Sequence, residues 1–135
     1  MIEYETPKEW EEVVKYVRDI GKALREDAVS KNFSPEVEYR RLLNIATGSY
    51  MYLVTEYKKW RSIKENNEVA KFCALKNEIG STKFTAASGQ IEASNFVCKE
   101  RYYRDYLEGW MLASEQAIYT LKKHLGSDER EHNVS

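Results

Sequence analysis

The chain has 135 residues, 42% of them hydrophobic and 32% charged, which suits one charge-rich folded domain and excludes wholesale disorder. Basic and acidic residues nearly balance, at 21 against 22, so the whole molecule is not a polycation and any nucleic-acid surface has to be local. Two prolines and six glycines are too few for a turn-rich sandwich or barrel.

The cysteines and the apolar runs favour a reducing, cytoplasmic location. Cys73 and Cys98 form no CxxC pair, which argues against a disulfide scaffold or a structural zinc site. Residues 1–10 are polar and acidic, unlike a signal peptide, and no run approaches the roughly 18 apolar residues of a membrane helix. We expect a cytoplasmic protein, located in the host cytoplasm if it is phage-encoded.

The first predicted helix follows the segment Thr6-Pro7-Lys8-Glu9. Thr6 is the expected N-cap, Pro7 the first helical residue, and Glu9 the partner that closes a capping box. One amphipathic stripe then recurs at spacings of three and four: Trp10, Val13, Val14, Val17, Ile20 and Leu24. The pattern predicts a helix over about residues 7–29.

The second predicted helix covers residues 35–79 and begins at Ser34-Pro35, which repeats the signal of a cap followed by proline. Its apolar residues follow a 4-3-4-3 pattern: Tyr39, Leu43, Ala46, Tyr50, Leu53, Tyr57 and Trp60. This spacing is typical of a coiled-coil seam against another helix. Asn66-Asn67 interrupts the seam, so the helix either continues or kinks there, and Gly48 is interpreted as allowing close helix approach.

The third predicted helix covers residues 85–125 and follows a break at Gly80-Ser81-Thr82. Gly80 is the expected C-cap of the second helix, and Ser81 or Thr82 the next N-cap. Gly126 is expected to end the third helix and to leave residues 126–135 as a frayed polar tail. The prediction is a single all-α domain with a short helix and a long antiparallel hairpin. Its apolar stripes exceed what one chain covers, so a homo-oligomer is expected.

The sequence offers no catalytic set. The two histidines, His124 and His132, lie near the C-terminus, and His124 is best interpreted as capping the last helical turn. No phosphate-binding loop occurs, and the pair of Glu-x-x-His motifs that a di-iron site requires is absent. We therefore expect no enzyme, no cofactor and no metal site.

The near-zero net charge conceals a basic middle. Residues 40–104 contain twelve cations and six carboxylates, whereas residues 1–39 contain six cations and ten carboxylates. Two segments within the basic middle interleave aromatic and basic residues: 57–61 (YKKWR), followed by Lys64, and 101–104 (RYYR), preceded by Lys99. Proteins that bind single-stranded nucleic acid use such combinations, with cations along the phosphates and rings on the bases. The alternative is that the rings are core residues, in which case the cations alone are candidates.

These segments resemble the phage recombination-mediator family typified by UvsY of the T-even phages. The resemblance covers about residues 40–125, in helical layout and in four runs: 57–65 (YKKWRSIKE), 69–76 (VAKFCALK), 102–110 (YYRDYLEGW) and 117–124 (AIYTLKKH). It implies an all-helical, ring-like homo-oligomer without enzymatic activity. Such a protein binds single-stranded DNA without sequence preference, helps to displace the single-strand binding protein and loads a RecA-like recombinase.

The resemblance also implies a position for the DNA contacts, in the Ala/Lys-rich stretch before the central turn. There it points to Lys71, Lys76 and Lys83, although Asn77 and Glu78 stand where a further cation is expected. With the first aromatic segment, the candidate nucleic-acid contacts are Lys58, Lys59, Arg61, Lys64, Lys71, Lys76 and Lys83.

A second hypothesis stays open at this point. The chain is then a helical interaction protein, such as a phage or bacterial adaptor or an inhibitor of a host system, without nucleic-acid binding. Under this hypothesis the acidic N-terminal helix, from Glu9 to Asp27, and the basic hairpin are assembly or partner surfaces.

Overall fold

A computed structural model describes residues 4–26, 35–79 and 84–134, with side chains as far as Gly126. Across these ranges the chain forms four helices and no strand, which confirms the all-α prediction. The helices are α1 (Lys8–Arg25), α2 (Pro35–Ile79), α3 (Ala86–Phe96) and α4 (Cys98–Val134).

The framework is an antiparallel hairpin of α2 and α4, the two helices with the most extensive mutual packing. Tyr39 stacks on His124 with ring centroids 4.8 Å apart, and farther along α2 Trp60 meets Tyr103 at 4.9 Å. Because rising residue numbers on α2 meet falling numbers on α4, the two helices run in opposite directions. Helix α1 packs against both of them, and α3 packs against α2.

The core lies along the predicted seam and beneath α1. One cluster of buried residues is formed by Trp10, Val17, Leu53, Tyr103 and Leu107, and a second by Ile20, Leu42, Ala46, Ala117 and Leu121. Leu53 and Ala46 are fully buried, as the 4-3-4-3 pattern predicts. Helix α1 therefore covers part of the apolar surface for which a second copy of the chain was expected.

Helix α1 begins one residue later than predicted, and Thr6 is not its cap. Pro7 has an extended backbone (φ −57°, ψ 144°), and its carbonyl accepts the first helical hydrogen bond, from the Trp10 amide at 3.1 Å. The Thr6 hydroxyl donates instead to the Glu11 carboxylate at 3.0 Å. The helix ends at Arg25, and the rest of the predicted extension, residues 27–29, lies outside the described ranges.

Helix α2 has the predicted bounds and runs through Asn66-Asn67 without interruption. The interpretation of Gly48 is wrong: the residue is exposed, and a Cβ built there meets no atom within 4 Å. The glycine that permits close approach is Gly89 in α3, where a Cβ would lie 2.5 Å from the Phe84 ring and 3.0 Å from Phe72.

The predicted third helix is two helices, separated at Val97 (φ −101°, ψ 28°), whose side chain is fully buried. Helix α3 is capped by Thr85, whose hydroxyl oxygen accepts a hydrogen bond from the Ser88 amide at 3.1 Å. The caps predicted at Gly80-Ser81-Thr82 lie outside the described ranges.

The predicted stop at Gly126 is wrong, because α4 continues through it to Val134. A glycine inside a helix costs only about 1 kcal/mol relative to alanine, so by itself it does not end one. His124 is consequently not in the last turn, and its ring stacks on Tyr39 rather than capping the helix.

Candidate nucleic-acid interface

The hairpin brings the two aromatic and basic segments to the same level. Trp60 of the first segment contacts Tyr103 of the second, with ring centroids 4.9 Å apart. Tyr57 faces Glu108, Arg61 and Arg104; burial and then a hydrogen bond with Glu108 raise the pKa of Tyr57, while the two arginines oppose the shift. Cations of α2 and α4 thus border one region, although they lie more than 35 residues apart in sequence.

This region lies in the half of the hairpin formed by residues 57–79 and 84–104, which we call the distal half. It contains nine basic and five acidic residues. The proximal half, residues 35–56 and 105–126, contains four basic and six acidic residues. The charge asymmetry of the sequence therefore becomes an asymmetry between the two halves of one elongated hairpin.

The aromatic rings of the two segments belong to the core. Tyr103 is 6% exposed and packs edge-on against Trp10 and Trp60, and its hydroxyl donates to the Glu5 carbonyl at 2.6 Å. Tyr57 and Tyr102 are half-buried against the same cluster. The Tyr103 ring offers no free face to a base, and the half-buried rings pack against the same cluster, so here the packing supports the core alternative.

The candidate cations of the first segment differ in exposure because they lie on different sides of α2. Lys58 and Lys59 are exposed and form no ion pair with any other residue that the structure describes. Arg61 is exposed and paired with Glu65 at 3.3 Å. Lys64 is only 15% exposed and lies 3.0 Å from the Glu68 carboxylate. Exposed pairs are worth at most about 1 kcal/mol, so a phosphate can compete for Arg61 more readily than for Lys64.

The cations nearer the turn are also divided. Lys76 is exposed and lies 18 residues, or five full helical turns, beyond Lys58, which places both on one side of α2. Lys71 is half-buried, and its ammonium lies 5.0 Å from the centroid of the Phe96 ring. Lys83 lies outside the part of the chain that the structure describes. The candidates therefore form an outward row, Lys58 and Lys76, and an inner pair, Lys64 and Lys71.

The inner pair belongs to a polar continuation of the seam that sequence reasoning missed. After Trp60 the 4-3-4 spacing passes through Lys64, Asn67 and Lys71. The Asn67 amide reaches the Glu100 carboxylate of α4 at 3.5 Å. The 4-3-4 spacing could have revealed this continuation, because it extends beyond Trp60 at polar instead of apolar residues.

Arg101 has a structural role that its place in an aromatic and basic segment did not reveal. Its guanidinium donates to the Ser94 carbonyl at 2.7 Å and also to the Ser94 hydroxyl. Arg101 thereby fastens the C-terminal turn of α3 to α4. Lys99, in contrast, is exposed, and its ammonium lies 5.6 Å from the Tyr103 ring centroid.

A separate groove lies between α1 and α4, away from the distal half. It encloses about 500 Å³ above an apolar floor that includes Leu24 and Ala117. Arg18 and Arg25 border it, and the Arg18 guanidinium lies 5.2 Å from the centroid of the Trp110 ring. The groove suits a binding partner with apolar and anionic groups.

Within the described ranges, no three side chains among histidine, cysteine, aspartate and glutamate come close enough together to hold a metal ion. No described helix has the length and apolar character that crossing a membrane requires.

Comparison of the chain with protein-family models, with curated proteins and with solved structures finds no match in any of the three. The resemblance to the recombination mediators stays a prediction from the sequence.

Proposed function

We propose that the chain is a non-enzymatic protein that binds single-stranded DNA without sequence preference, through the distal half of the hairpin. The observation that carries the proposal is the position of exposed cations on both helices beside the Trp60–Tyr103 contact. Lys58, Lys59 and Arg61 flank Trp60 on α2, and Lys99 of α4 lies beside the Tyr103 ring. Cations on two neighbouring helices can follow a flexible phosphate backbone, and they carry no information about base sequence.

The biological role follows from the resemblance. A recombination mediator assembles into a homo-oligomer, helps to displace the single-strand binding protein and loads a RecA-like recombinase onto DNA. We propose these partners for this chain on that ground. In one copy the distal half has only four more basic than acidic residues. An oligomer would bring several such surfaces together and so strengthen the attraction for DNA.

The first test is fluorescence anisotropy with a labelled poly-dT strand, at low salt and with added salt. We expect saturable, salt-sensitive binding that is stronger than binding to duplex DNA. The double variant Lys71→Ala with Lys76→Ala should lower the slope of log affinity against log salt by about 1.4, at roughly 0.7 per phosphate on single strands. The control is Lys15→Ala with Lys22→Ala, which removes the same charge from exposed positions on α1.

Two outcomes contradict the proposal at different levels. If the wild-type protein does not bind poly-dT at low salt, the function itself is wrong. If it binds but the slope of the Lys71 and Lys76 variant equals that of the α1 control, the function stands and these two contacts are wrong.

The groove between α1 and α4 favours the second candidate, a helical interaction or adaptor protein. Arg18 and Arg25 border an apolar floor, as expected of a surface for an acidic amphipathic segment of another protein. In that case the charge reversal Arg18→Glu with Arg25→Glu abolishes partner binding, and the variants of α2 leave it unchanged.

A further inference from the structure

Stacking on bases requires an exposed aromatic ring near a cation, and the rings of the two aromatic and basic segments are packed in the core. Phe96 meets the requirement although it lies in neither segment. It is the last residue of α3, and 58% of it is exposed. The Phe96 side chain is therefore accessible to a ligand from solvent.

The backbone on either side of Phe96 is fixed. Ala93 and Val97 are buried, at 1% and 0% exposure, and they anchor the end of α3 against the hairpin. Arg101 donates to the Ser94 carbonyl at 2.7 Å, which ties the same turn to α4. Phe96 itself is 58% exposed, so its side chain is directed away from this anchor. The ring is therefore exposed on a rigid support rather than on a loose loop.

A cation is already in place beside this ring. The Lys71 ammonium lies 5.0 Å from the Phe96 ring centroid, within the range of a cation–π contact. Lys71 is one of the residues predicted to contact phosphate. An exposed ring next to a lysine matches the two parts of one nucleotide, a flat base and a charged phosphate.

We propose that Phe96 stacks on a base of single-stranded DNA while Lys71 contacts an adjacent phosphate. This inference rests on the proposed function and adds to it a residue that recognises the base rather than the backbone. Stacking on a single ring tolerates any base, so the site keeps the lack of sequence preference.

The test compares Phe96→Leu with Tyr119→Leu in the same poly-dT titration. Tyr119 is a matched control: it is 60% exposed on α4, and the Lys123 ammonium lies 5.2 Å from its ring centroid, but it belongs to the proximal half. We expect Phe96→Leu to weaken binding roughly ten-fold, since loss of one stacked base is worth a factor of this order. We expect Tyr119→Leu to bind like the wild type.

The salt slope separates stacking from charge. Phe96→Leu removes no charge, so its slope should equal that of the wild type, whereas Lys71→Ala should lower the slope. Phe96→Trp should retain the affinity, and the fluorescence of the added tryptophan should fall when DNA binds. Circular dichroism of each variant checks that the helical fold is intact.

The results distinguish this inference from the function on which it rests. If the wild type binds poly-dT and Phe96→Leu binds as tightly as Tyr119→Leu, stacking at Phe96 is wrong and DNA binding by the cations stands. If the wild type does not bind, both are wrong.

Discussion

Gly48 and Gly89 both lie inside helices, yet their surroundings predict opposite effects of substitution by alanine. A Cβ at Gly48 meets nothing within 4 Å, so Gly48→Ala should raise the free energy of unfolding by about 0.5–1 kcal/mol through helix propensity. A Cβ at Gly89 would lie 2.5 Å from the Phe84 ring, so Gly89→Ala should lower that free energy by about 1 kcal/mol despite the same gain. Urea denaturation of both variants measures the difference, and an equal gain in stability at the two positions would contradict the packing of α3.

Glu38 gives the stability a dependence on pH. It is 4% exposed, and its carboxylate accepts a hydrogen bond from the Arg41 Nε at 3.1 Å. This hydrogen bond, aided by the charge of Arg41 and opposed by burial, lowers the pKa of Glu38 below 4.5. A lowered pKa in the folded state adds stability that is present above pH 4.5 and is lost as the pH falls through the folded value.

The matching experiment is the unfolding of wild type and Glu38→Gln at several pH values. We expect the wild type to be the more stable near pH 7 and the difference to shrink as the pH falls below about 4.5. Glu65→Gln serves as the control, because that carboxylate is 58% exposed and its pair with Arg61 is screened by solvent. A difference that does not change with pH would refute the role of the Glu38 carboxylate.

At the scale of elements, Trp10 holds α1 on the hairpin. It is 3% exposed and packs edge-on against Trp60 and Tyr103 of the two long helices. Trp10→Ala should cost about 3–5 kcal/mol, as large-to-small substitutions in a core do. Tyr16→Ala on the same helix, at 56% exposure, should cost less than about 0.5 kcal/mol.

Hydrogen exchange shows which helices Trp10→Ala destabilises. We expect the amides of α1 to lose protection in Trp10→Ala by more than those of α2 and α4, which also pack extensively on each other. Equal loss of protection along all three helices would show that α1 and the hairpin unfold as one unit.

The sequence was sufficient for elements whose signals are local and repeated. The bounds of α2 follow from Pro35 and from a 4-3-4-3 pattern long enough to fix the buried side. The break at Val97 has no local signal, because neither glycine nor proline lies near it. It depends on a buried side chain and on the bond from Arg101 to Ser94, which are tertiary contacts. Gly126 is a local signal for the end of a helix, but α4 continues through it to Val134.

The sequence predicts which cations belong to the candidate site, but not which of them are exposed. The sequence does not distinguish Lys58 from Lys64, since both are lysines in the same basic segment of α2. In the structure Lys58 is exposed, whereas Lys64 is 15% exposed beside Glu68, because the two face different sides of α2. Phe96 was missed because no charge adjoins it in sequence. Its cation, Lys71, comes from another helix.

At the scale of the whole molecule, the two halves of the hairpin carry different charge, with nine basic and five acidic residues in the distal half against four and six in the proximal half. If DNA binding depends only on the net charge of the molecule, charge changes in either half should affect it equally. If DNA binds at the distal half, changes there should affect it more. Adjacent lysine pairs occur in both halves, Lys58-Lys59 in the distal half and Lys122-Lys123 in the proximal half, and all four side chains are exposed.

Reversing each pair therefore tests location at constant net charge. Lys58→Glu with Lys59→Glu and Lys122→Glu with Lys123→Glu each replace two positive by two negative charges in a molecule whose net charge is −1. We expect the distal reversal to weaken poly-dT binding at least roughly ten-fold at low salt, because it removes phosphate contacts and adds repulsion at the site. The proximal reversal, about a Debye length or more away, should change the affinity only slightly once salt is near 0.1 M. Equal losses would mean that DNA responds to the overall charge, and a larger loss from the proximal pair would place the binding surface at the opposite half of the hairpin.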